Sequence, residues 1–262
     1  MKNKKYAILI SSCDKFSDLW EWHIRLLKKH WIGELPEIYL VTDKETPIHY
    51  ENVTIMSFSG DFPIRIKKAC SNIAAEYILL TLDDYYLIKD VNEKRMNSLI
   101  EYSLKQDLDY LLLYDRRYLK RKDRKPLLYN TELDLNEKYS VNLYPAVWKR
   151  SFLINSVLKD TNPWKYEVSL TEYALKNAAK CEFNHAQVFI ILDVVRKGKV
   201  LHPANRYFKQ NGIDIGDRPI ISWVEEIKLN IMFFINWHFP RPIKNFIKKA
   251  AKCFGIHFYS DD

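Results

Sequence analysis

Two adjacent carboxylates, Asp83 and Asp84, follow an apolar run that extends from Tyr77 to Leu82. Only Thr81 in that run is neither apolar nor aromatic, which is typical of a strand buried on both faces of a sheet. Neighbouring carboxylates repel each other unless a positive group neutralises them. A divalent cation that also binds a diphosphate would do so, because hard cations prefer oxygen ligands. The alternative is a solvated turn after a core strand.

The segments around this acidic pair predict a Rossmann-like half built on parallel strands. We predict strands at 6–10, 37–41, 52–58 and 77–82 and helices at 16–31 and 64–75. Ligands of open α/β sheets bind at the carboxyl ends of the strands. The first two strands end in the polar segments Ser11 to Asp14 and Thr42 to Asp43.

The second half of the chain predicts more strands and helices and then a helical tail. We predict helices at 91–102, 149–158, 162–172 and 221–239, strands at 109–114 and 187–195, and a strand pair at 138–147. Asn162 is the expected N-cap of its helix, and Pro163 fits the first turn. The fold class is therefore α/β, with a mostly parallel mixed sheet flanked by helices. We divide the chain into a domain at 1–215 and a tail at 216–262.

The formal net charge of +8 favours acidic partners such as nucleoside diphosphates, anionic lipid surfaces or nucleic acid. No Gly-x-Gly-x-x-Gly follows the first strand, and no Gly-x-x-x-x-Gly-Lys occurs anywhere in the sequence. A nucleotide would therefore not be held by a dinucleotide fingerprint or a P-loop. Its phosphates would have to be bound by cations, whether a metal ion, Arg or Lys.

Four cysteines (Cys13, Cys70, Cys181 and Cys253) are far apart in the sequence, and we expect free thiols in a reducing compartment. The N-terminal apolar run is too short for a signal peptide, and no apolar window is long enough to span a bilayer. We therefore expect a cytoplasmic protein. Residues 244–254 alternate Ile and Phe with Lys, so this segment either docks on the main domain or lies on the anionic inner face of a membrane.

Five pieces of sequence occur in an order that resembles a known enzyme family. They are Ile-Leu-Ile-Ser-Ser-Cys-Asp from Ile8, Ile-Tyr-Leu-Val-Thr-Asp from Ile38, Arg65, Leu-Asp-Asp-Tyr from Leu82, and Asn-Pro-Trp-Lys-Tyr-Glu from Asn162. Over roughly residues 6–210 the chain resembles nucleotide-sugar glycosyltransferases of the GT-A fold. It is most similar to the bacterial family-2-like enzymes that build surface polysaccharides.

The resemblance implies roles for ten residues. Ser12, Asp14, Thr42 and Asp43 would hold the nucleoside, Arg65 and Lys68 would lie near the ribose or diphosphate, Asp83 would face the ribose, Asp84 and His202 would bind Mn²⁺ or Mg²⁺, and Trp164 would contact the sugar. The family usually has Asp-x-Asp or Asp-Asp-Asp, whereas Tyr85 stands here where a third carboxylate would be. Core packing is the alternative for a tryptophan, as it is for Trp148.

Glu167 matches the position at which inverting relatives place the general base, and Glu172 is the alternative. The donor implied is a nucleoside-diphosphate sugar, and the acceptor is a saccharide or a lipid-linked hydroxyl. An acidic residue early in a helix is also favoured by the helix dipole, so Glu167 could instead serve as a cap. If Glu167 is the base, the sugar is transferred with inversion.

Two other classes of protein fit parts of the sequence. A nucleic-acid-binding protein is allowed by the net charge and by the segment 115–125, where seven of eleven residues are basic. However, no recognition motif accompanies it. A non-catalytic scaffold with the same fold is the other alternative. A nucleotidyltransferase would share the α/β half, but such enzymes normally have a Gly-rich phosphate loop that this sequence lacks.

Overall fold

A computed structural model of the protein describes residues 5–116, 125–158 and 161–238, with only the backbone for 236–238. The strands are β1 (Tyr6–Ser11), β2 (Trp31–Ile32), β3 (Ile38–Thr42), β4 (Val53–Ser57), β5 (Tyr77–Leu82), β6 (Tyr85–Leu87), β7 (Val91–Asn92), β8 (Tyr110–Leu112), β9 (Asn130–Glu132), β10 (Ala146–Lys149), β11 (Cys181–Asn184), β12 (Ile191–Asp193), β13 (Val195–Arg196) and β14 (Lys199–Val200). The helices are α1 (Ser17–His30), α2 (Phe62–Asn72), α3 (Glu93–Gln106), α4 (Arg150–Asn155), α5 (Pro163–Lys176), α6 (His202–Asn211) and α7 (Trp223–His238).

Eight of the strands form one mixed sheet in the order β4-β3-β1-β5-β10-β8-β11-β9. The first four are parallel to one another. β10 is antiparallel to both β5 and β8, so β8 runs in the same direction as β5. β11 is parallel to β8, and β9 closes the edge in the antiparallel sense. The predicted α/β class with a mostly parallel mixed sheet is therefore confirmed.

Helices cover both faces of this sheet, which explains why its central strands β1 and β5 are apolar except at Ser11 and Thr81. On one face, Ile8 and Leu79 pack into a cluster with α1 and α3. On the other face, Leu9 and Leu80 pack with α2, α4 and α5. Because successive strand residues point to opposite faces, each cluster takes alternate residues of β1 and β5.

The predicted elements before residue 112 are close to those observed, but two predictions further along the chain are wrong. The strand pair expected at 138–147 is absent, since only Ala146–Lys149 of that region is a strand. Its first part turns instead, with Tyr139 at a φ of +64°. The strand expected at 187–195 is split into β12 and β13, which pair outside the large sheet. The predictions also omit α6, β11 and the short strands β2, β6, β7, β9 and β14.

The predicted start of α5 is confirmed. The side chain of Asn162 accepts a hydrogen bond of 2.9 Å from the backbone N–H of Lys165, and Pro163 is the first helical residue. Cys13, Cys70 and Cys181 have free thiols. Cys253 and the segment 244–254 lie outside the described residues.

The part of the chain after residue 215 contacts the main sheet region through α7 and the turn before it. Arg218 pairs with Asp18 in α1, and Glu226 of α7 pairs with His202 of α6. The division at 215/216 stays a prediction. Among the described residues, no helix is long and apolar enough to cross a bilayer.

Tyr77 links the central strand to the turn that leads into β8. Its buried hydroxyl donates to the carbonyls of Ser103 and Leu108, both at 3.0 Å. We expect Tyr77→Phe to lower the free energy of unfolding by about 1–3 kcal/mol, because both carbonyls stay buried without this donor. Urea denaturation measures the change, and Tyr139→Phe, at a residue that is 40% exposed, should shift it by under about 0.5 kcal/mol. Equal effects at the two sites would contradict the linking role.

Candidate active site

The carboxyl ends of β1, β3 and β5 meet at one edge of the sheet. In the register of these strands, Ser11 lies opposite both Val41 and Leu82. The residues that follow them, Ser12, Thr42 and Asp83, are consequently neighbours. The strand register therefore brings the polar ends of these three strands together at the acidic pair.

Asp83 is held in place by a short chain of buried hydrogen bonds. The hydroxyl of Ser12 donates to the Asp83 carboxylate, and Nε1 of Trp20 donates to that hydroxyl at 2.6 Å. The carbonyl of Asp83 lies 3.2 Å from Nδ1 of His23, whose pKa is lowered by burial to about 4. His23 is thus neutral at pH 7. The solvated-turn alternative is wrong for Asp83, which is only 8% exposed.

The electrostatics around Asp83 favour its protonated form. Burial raises the pKa of this carboxyl to about 7, although the hydrogen bond from Ser12 and the charge of Arg218 act in the opposite direction. Arg218 reaches this region because it is paired with Asp18 and lies over the ring of Phe16, 4.6 Å from its centroid. A ligand cation beside Asp83 would restore its ionised form.

Asp84 carries a buried carboxylate oxygen, Oδ1, that has no hydrogen-bond partner among the described residues. Burial raises its pKa well above the usual value, and the charges of Asp83 and Asp193 raise it further. β12 brings Asp193 there by pairing antiparallel with β6, which places Asp193 opposite Tyr85. The backbone N–H of Val194 donates to the carbonyl of Asp84 at 2.9 Å, which fixes the two segments together.

Arg196 supplies the compensating positive charge on this side of the site. Its Nε and Nη2 atoms donate to Oδ2 of Asp193 at 2.9 and 2.6 Å. Burial acts to lower the pKa of Arg196, but the charges of Asp193, Tyr85 and Asp84 raise it overall. The sequence analysis missed this Asp-x-x-Arg pair. An acidic residue near the end of a predicted strand, followed by an Arg, was the available signal.

Glu167 lies in the same electrostatic neighbourhood. Its Oε1 accepts a 2.9 Å hydrogen bond from the backbone N–H of Leu143. Burial raises the pKa of Glu167, whereas this bond and the charge of Arg196 lower it. The capping alternative is wrong, because Asn162 caps α5 and Glu167 binds a different segment. Glu172 is exposed on the same helix.

The direction of β10 explains how Glu167 comes near the acidic pair. β10 begins at Ala146, which lies opposite Leu80 of β5 and Leu112 of β8. The residues just before β10 therefore lie at the carboxyl ends of β5 and β8. They include Leu143, which Glu167 holds.

Three tyrosine rings pack together next to the acidic pair. Tyr144 lies 5.5 Å, between ring centroids, from both Tyr85 and Tyr114. Asp193 and Arg196 line a cavity of about 260 Å³ whose other walls are largely apolar. The cavity thus reaches the Asp193–Arg196 pair, whereas Asp83 and Asp84 are not among the residues that line it.

The predicted nucleoside residues form a second group beyond Ser12. The backbone N–H of Asp14 donates to Oδ1 of Asp43 at 2.6 Å, and Thr42 is fully buried beside it. Burial acts to raise the pKa of Asp43. The backbone N–H groups of Asp14 and Asp43 and the charge of Arg65 outweigh it, so the pKa is lowered overall. Asp14 also pairs with Lys44 at 3.0 Å.

Arg65 is buried and serves this loop directly. Its Nη1 donates to the carbonyl of Gly60 at 2.7 Å and its Nη2 to that of Ser12 at 3.4 Å. Its Nε is buried with no hydrogen-bond partner among the described residues. Lys68, one turn further along α2, is exposed and donates to the carbonyl of Ser59.

The predicted roles of Trp164 and His202 stay predictions. Trp164 is 56% exposed near the start of α5, whereas Trp148 is fully buried against Tyr110, as the packing alternative expects. His202 begins α6, where its Nδ1 contacts the carboxylate of Glu226 and its ring stacks on Trp223.

The fit of the site to a divalent cation rests on Asp84. A buried carboxylate oxygen without a partner is a suitable ligand for Mn²⁺ or Mg²⁺. Among the described residues, no cluster of three or more His, Cys, Asp or Glu is arranged to hold a metal. A cation bound here would therefore depend on oxygens of the ligand and water for most of its coordination, which is usual for Mg²⁺ with a phosphate ligand.

Several solved structures resemble this chain in fold. No protein-family model matches the sequence, and no curated protein is similar to it. Among solved structures, S. aureus TarS 1-349 in complex with UDP-GlcNAc aligns at 13% identity and a TM-score of 0.49, covering 75% of this chain and 60% of that one. TarS 1-349 alone aligns at 14% and 0.46, covering 68% and 57%.

A third similar structure is 4-diphosphocytidyl-2C-methyl-D-erythritol synthase, at 15% identity and a TM-score of 0.45, covering 82% of this chain and 100% of that one. The chain spans 57–60% of the length of the two TarS structures. Because the identities are low, we base the proposed function on the geometry of the site itself.

The raised pKa of Asp84 has a consequence for stability. An unfolded chain ionises this group near pH 3.8, whereas the folded protein keeps it protonated to higher pH. Stability should therefore fall as pH rises above 3.8 through the raised pKa. We expect Asp84→Asn, which cannot ionise, to raise Tm at pH 8 by a few degrees, on the order of 1 kcal/mol or more, and to leave it nearly unchanged at pH 4.

Differential scanning calorimetry at the two pH values measures this difference. The matched control is Asp217→Asn, at an exposed position, which should leave Tm within about a degree at both. A lower Tm for Asp84→Asn at pH 8 would show that the carboxylate is stabilised in the folded protein and would contradict the assignment.

Proposed function

We propose that the protein is a glycosyltransferase of the GT-A type that moves a sugar from a nucleoside-diphosphate sugar to an acceptor hydroxyl. The observation that carries the proposal is the buried acidic pair, Asp83 and Asp84, at the carboxyl edge of the parallel strands. A nucleoside-binding loop flanks it on one side and a buried glutamate, Glu167, on the other. The acceptor is a saccharide or a lipid-linked hydroxyl in the synthesis of a surface polysaccharide.

The nucleoside would bind against Ser12, Asp43 and the loop between β1 and α1. Asp43 is ionised there, so it can accept hydrogen bonds from ribose hydroxyls or from a base. Arg65 holds this loop, and its positive charge would lie near the ribose or diphosphate. The diphosphate would then lie over Asp83 and Asp84, whose negative charge needs a cation on the ligand side.

Asp84 would bind Mn²⁺ or Mg²⁺ together with the diphosphate, and the cation would stabilise the charge of the leaving nucleoside diphosphate. Arg196 would add a positive charge from the protein side, since its guanidinium already acts to lower the pKa of Asp84. We also propose His202 as a second metal ligand. Its Nδ1 contacts Glu226, so the other ring nitrogen would have to bind the metal.

Glu167 would act as the general base. Its carboxylate is fixed through Leu143, and its raised pKa makes it a better proton acceptor at neutral pH than an ordinary glutamate. It would take the proton from the acceptor hydroxyl as the oxygen attacks the anomeric carbon and the bond to the diphosphate breaks. Attack from the face opposite the leaving group inverts the anomeric configuration.

The cavity beside Asp193 and Arg196 provides the acceptor side of the site. Its walls include Tyr114, Ile191 and Phe233, which suit the apolar faces of a sugar or an apolar aglycone. Trp164 would contact the sugar from the start of α5. We place the protein in the cytoplasm, peripherally on the inner face of the membrane. A nucleic-acid-binding function would depend on the basic segment 115–125, of which residues 117–124 lie outside the described residues.

Nucleotide binding can be tested by thermal shift. At saturating UDP or GDP with Mn²⁺ we expect Tm to rise by several degrees, since ligand at about 100 times its Kd adds about 2.7 kcal/mol to stability. Asp84→Asn should lose most of the Mn²⁺-dependent part of the shift and keep the metal-independent part. Cytidine and adenosine diphosphates are tested in parallel. The absence of a shift with all four nucleotides would favour the non-catalytic scaffold.

The base is tested by Glu167→Gln, which keeps the size of the side chain and its contact with Leu143. We expect the transfer rate to fall on the order of 10²–10⁴-fold while nucleotide affinity stays within about twofold. Glu172→Gln, on the same helix but exposed, is the matched control and should retain activity. A Glu167→Gln enzyme with near-normal turnover, or a loss seen only for Glu172→Gln, would remove Glu167 from the mechanism.

A further inference from the structure

The last described helix, α7, has an apolar face that points away from the protein. Trp223, Val224, Ile227 and Ile231 lie on one side of the helix at spacings of one, three and four residues, and each is at least 51% exposed. Single exposed apolar residues are ordinary, whereas four large ones on one helical face form a continuous patch. We call these four residues the α7 stripe.

The opposite side of α7 packs against the rest of the protein. Glu226 is buried and pairs with His202, and Leu229 packs onto the core cluster that contains Phe208. Lys199 also binds Glu225 at 2.8 Å. The helix is therefore anchored along one side, and its orientation, with the α7 stripe outward, is fixed by these contacts. A helix that is apolar on both sides needs a partner for the second one.

The sequence that follows α7 indicates the nature of that partner. Residues 239–262 contain five Lys or Arg and two Asp, and place Ile243, Phe246, Ile247, Ala250 and Phe254 at helical spacing. Apolar residues with lysines between them are typical of segments that bind anionic bilayer surfaces. The α7 stripe extends this apolar character back onto a helix whose position is fixed.

A second copy of the chain is a poorer occupant of this face. Pairing two copies through their α7 stripes would bring two basic tails together on a protein that already carries a net charge of +8. Like charges at that distance oppose association, whereas an anionic bilayer attracts both tails.

We propose that the α7 stripe lies on an anionic lipid surface, with Trp223, Ile227 and Ile231 inserted at the level of the headgroups. α7 would then rest parallel to the bilayer, and its anchored side would hold the catalytic domain at the membrane. This inference is independent of the proposed glycosyltransferase activity, because it rests on α7 and on the charge and composition of the sequence that follows it.

The test uses the full chain and vesicle flotation. Wild-type protein should float with vesicles of phosphatidylglycerol and phosphatidylcholine and bind vesicles of phosphatidylcholine alone much less. Ile227→Ser combined with Ile231→Ser should reduce the partition coefficient at least tenfold, because two buried apolar side chains are lost. The matched control is Ile32→Ser combined with Leu175→Ser, at two residues that are 50% exposed elsewhere. The control should bind like the wild type.

Three results would overturn the proposal. The first is a wild-type protein that does not bind the anionic vesicles. The second is equal binding by the α7 pair and the control pair. The third is a concentration-dependent dimer, seen by sedimentation velocity, that the α7 substitutions abolish. Calorimetry of each variant checks folding. Brominated phosphatidylglycerol should quench the tryptophan fluorescence of the wild-type protein, and this quenching should be lost in Trp223→Ala. The quenching measurement reports insertion without the serine variants. Nucleotide thermal shifts should be the same in all of them.

Discussion

Two carboxylates held out of water at the end of a buried strand are the constraint on which the rest of this structure depends. Burying them is unfavourable, and the surrounding elements only partly compensate for it. Ser12 donates a hydrogen bond to Asp83, and Arg196 contributes positive charge near Asp84. The pKa values of both carboxyls nevertheless remain raised. A site whose carboxyls are kept protonated by burial is suited to a ligand that arrives with a cation, because the cation favours their ionised form.

The compensating groups come from distant parts of the sequence. Asp193 belongs to β12, which pairs with β6 immediately after the acidic pair, and Arg196 follows three residues later in β13. Arg218 reaches Asp83 from the turn before α7 because Asp18 holds it. The first half of the chain thus provides the acidic edge, and the second half provides the positive charges that make its burial tolerable. This division explains why the site needs the whole domain to form.

The same arrangement connects the proposed chemistry to the proposed membrane surface. α7 is anchored through Glu226 to α6, and residues of α7 such as Phe233 line the cavity next to Arg196. A helix with one side on this cavity and the other on a lipid surface would present the acceptor side of the site toward the bilayer. A lipid-linked acceptor would then reach the cavity without leaving the membrane surface.

Much of the fold follows from the sequence because its signals are local. Apolar runs such as Tyr77 to Leu82 identify buried strands, and the polar residues after them identify the edge at which ligands bind. The N-cap Asn162 and the following proline fix the start of α5 from two neighbouring residues alone. The clustering of Ser12, Asp43 and Asp83 could be predicted in the same way, since parallel strands end together.

Only the tertiary structure decided the remaining parts of the site. β10 lies between β5 and β8 in the antiparallel sense, and this reversal brings Leu143 and Glu167 to the acidic edge. The pairing of Asp193 with Arg196 beside Asp84 depends on a contact between β6 and β12, about a hundred residues apart. The sequence determined which residues could carry charge at the ends of strands. Which charges meet was decided by long-range strand pairing, because no local pattern encodes the partner or direction of a distant strand.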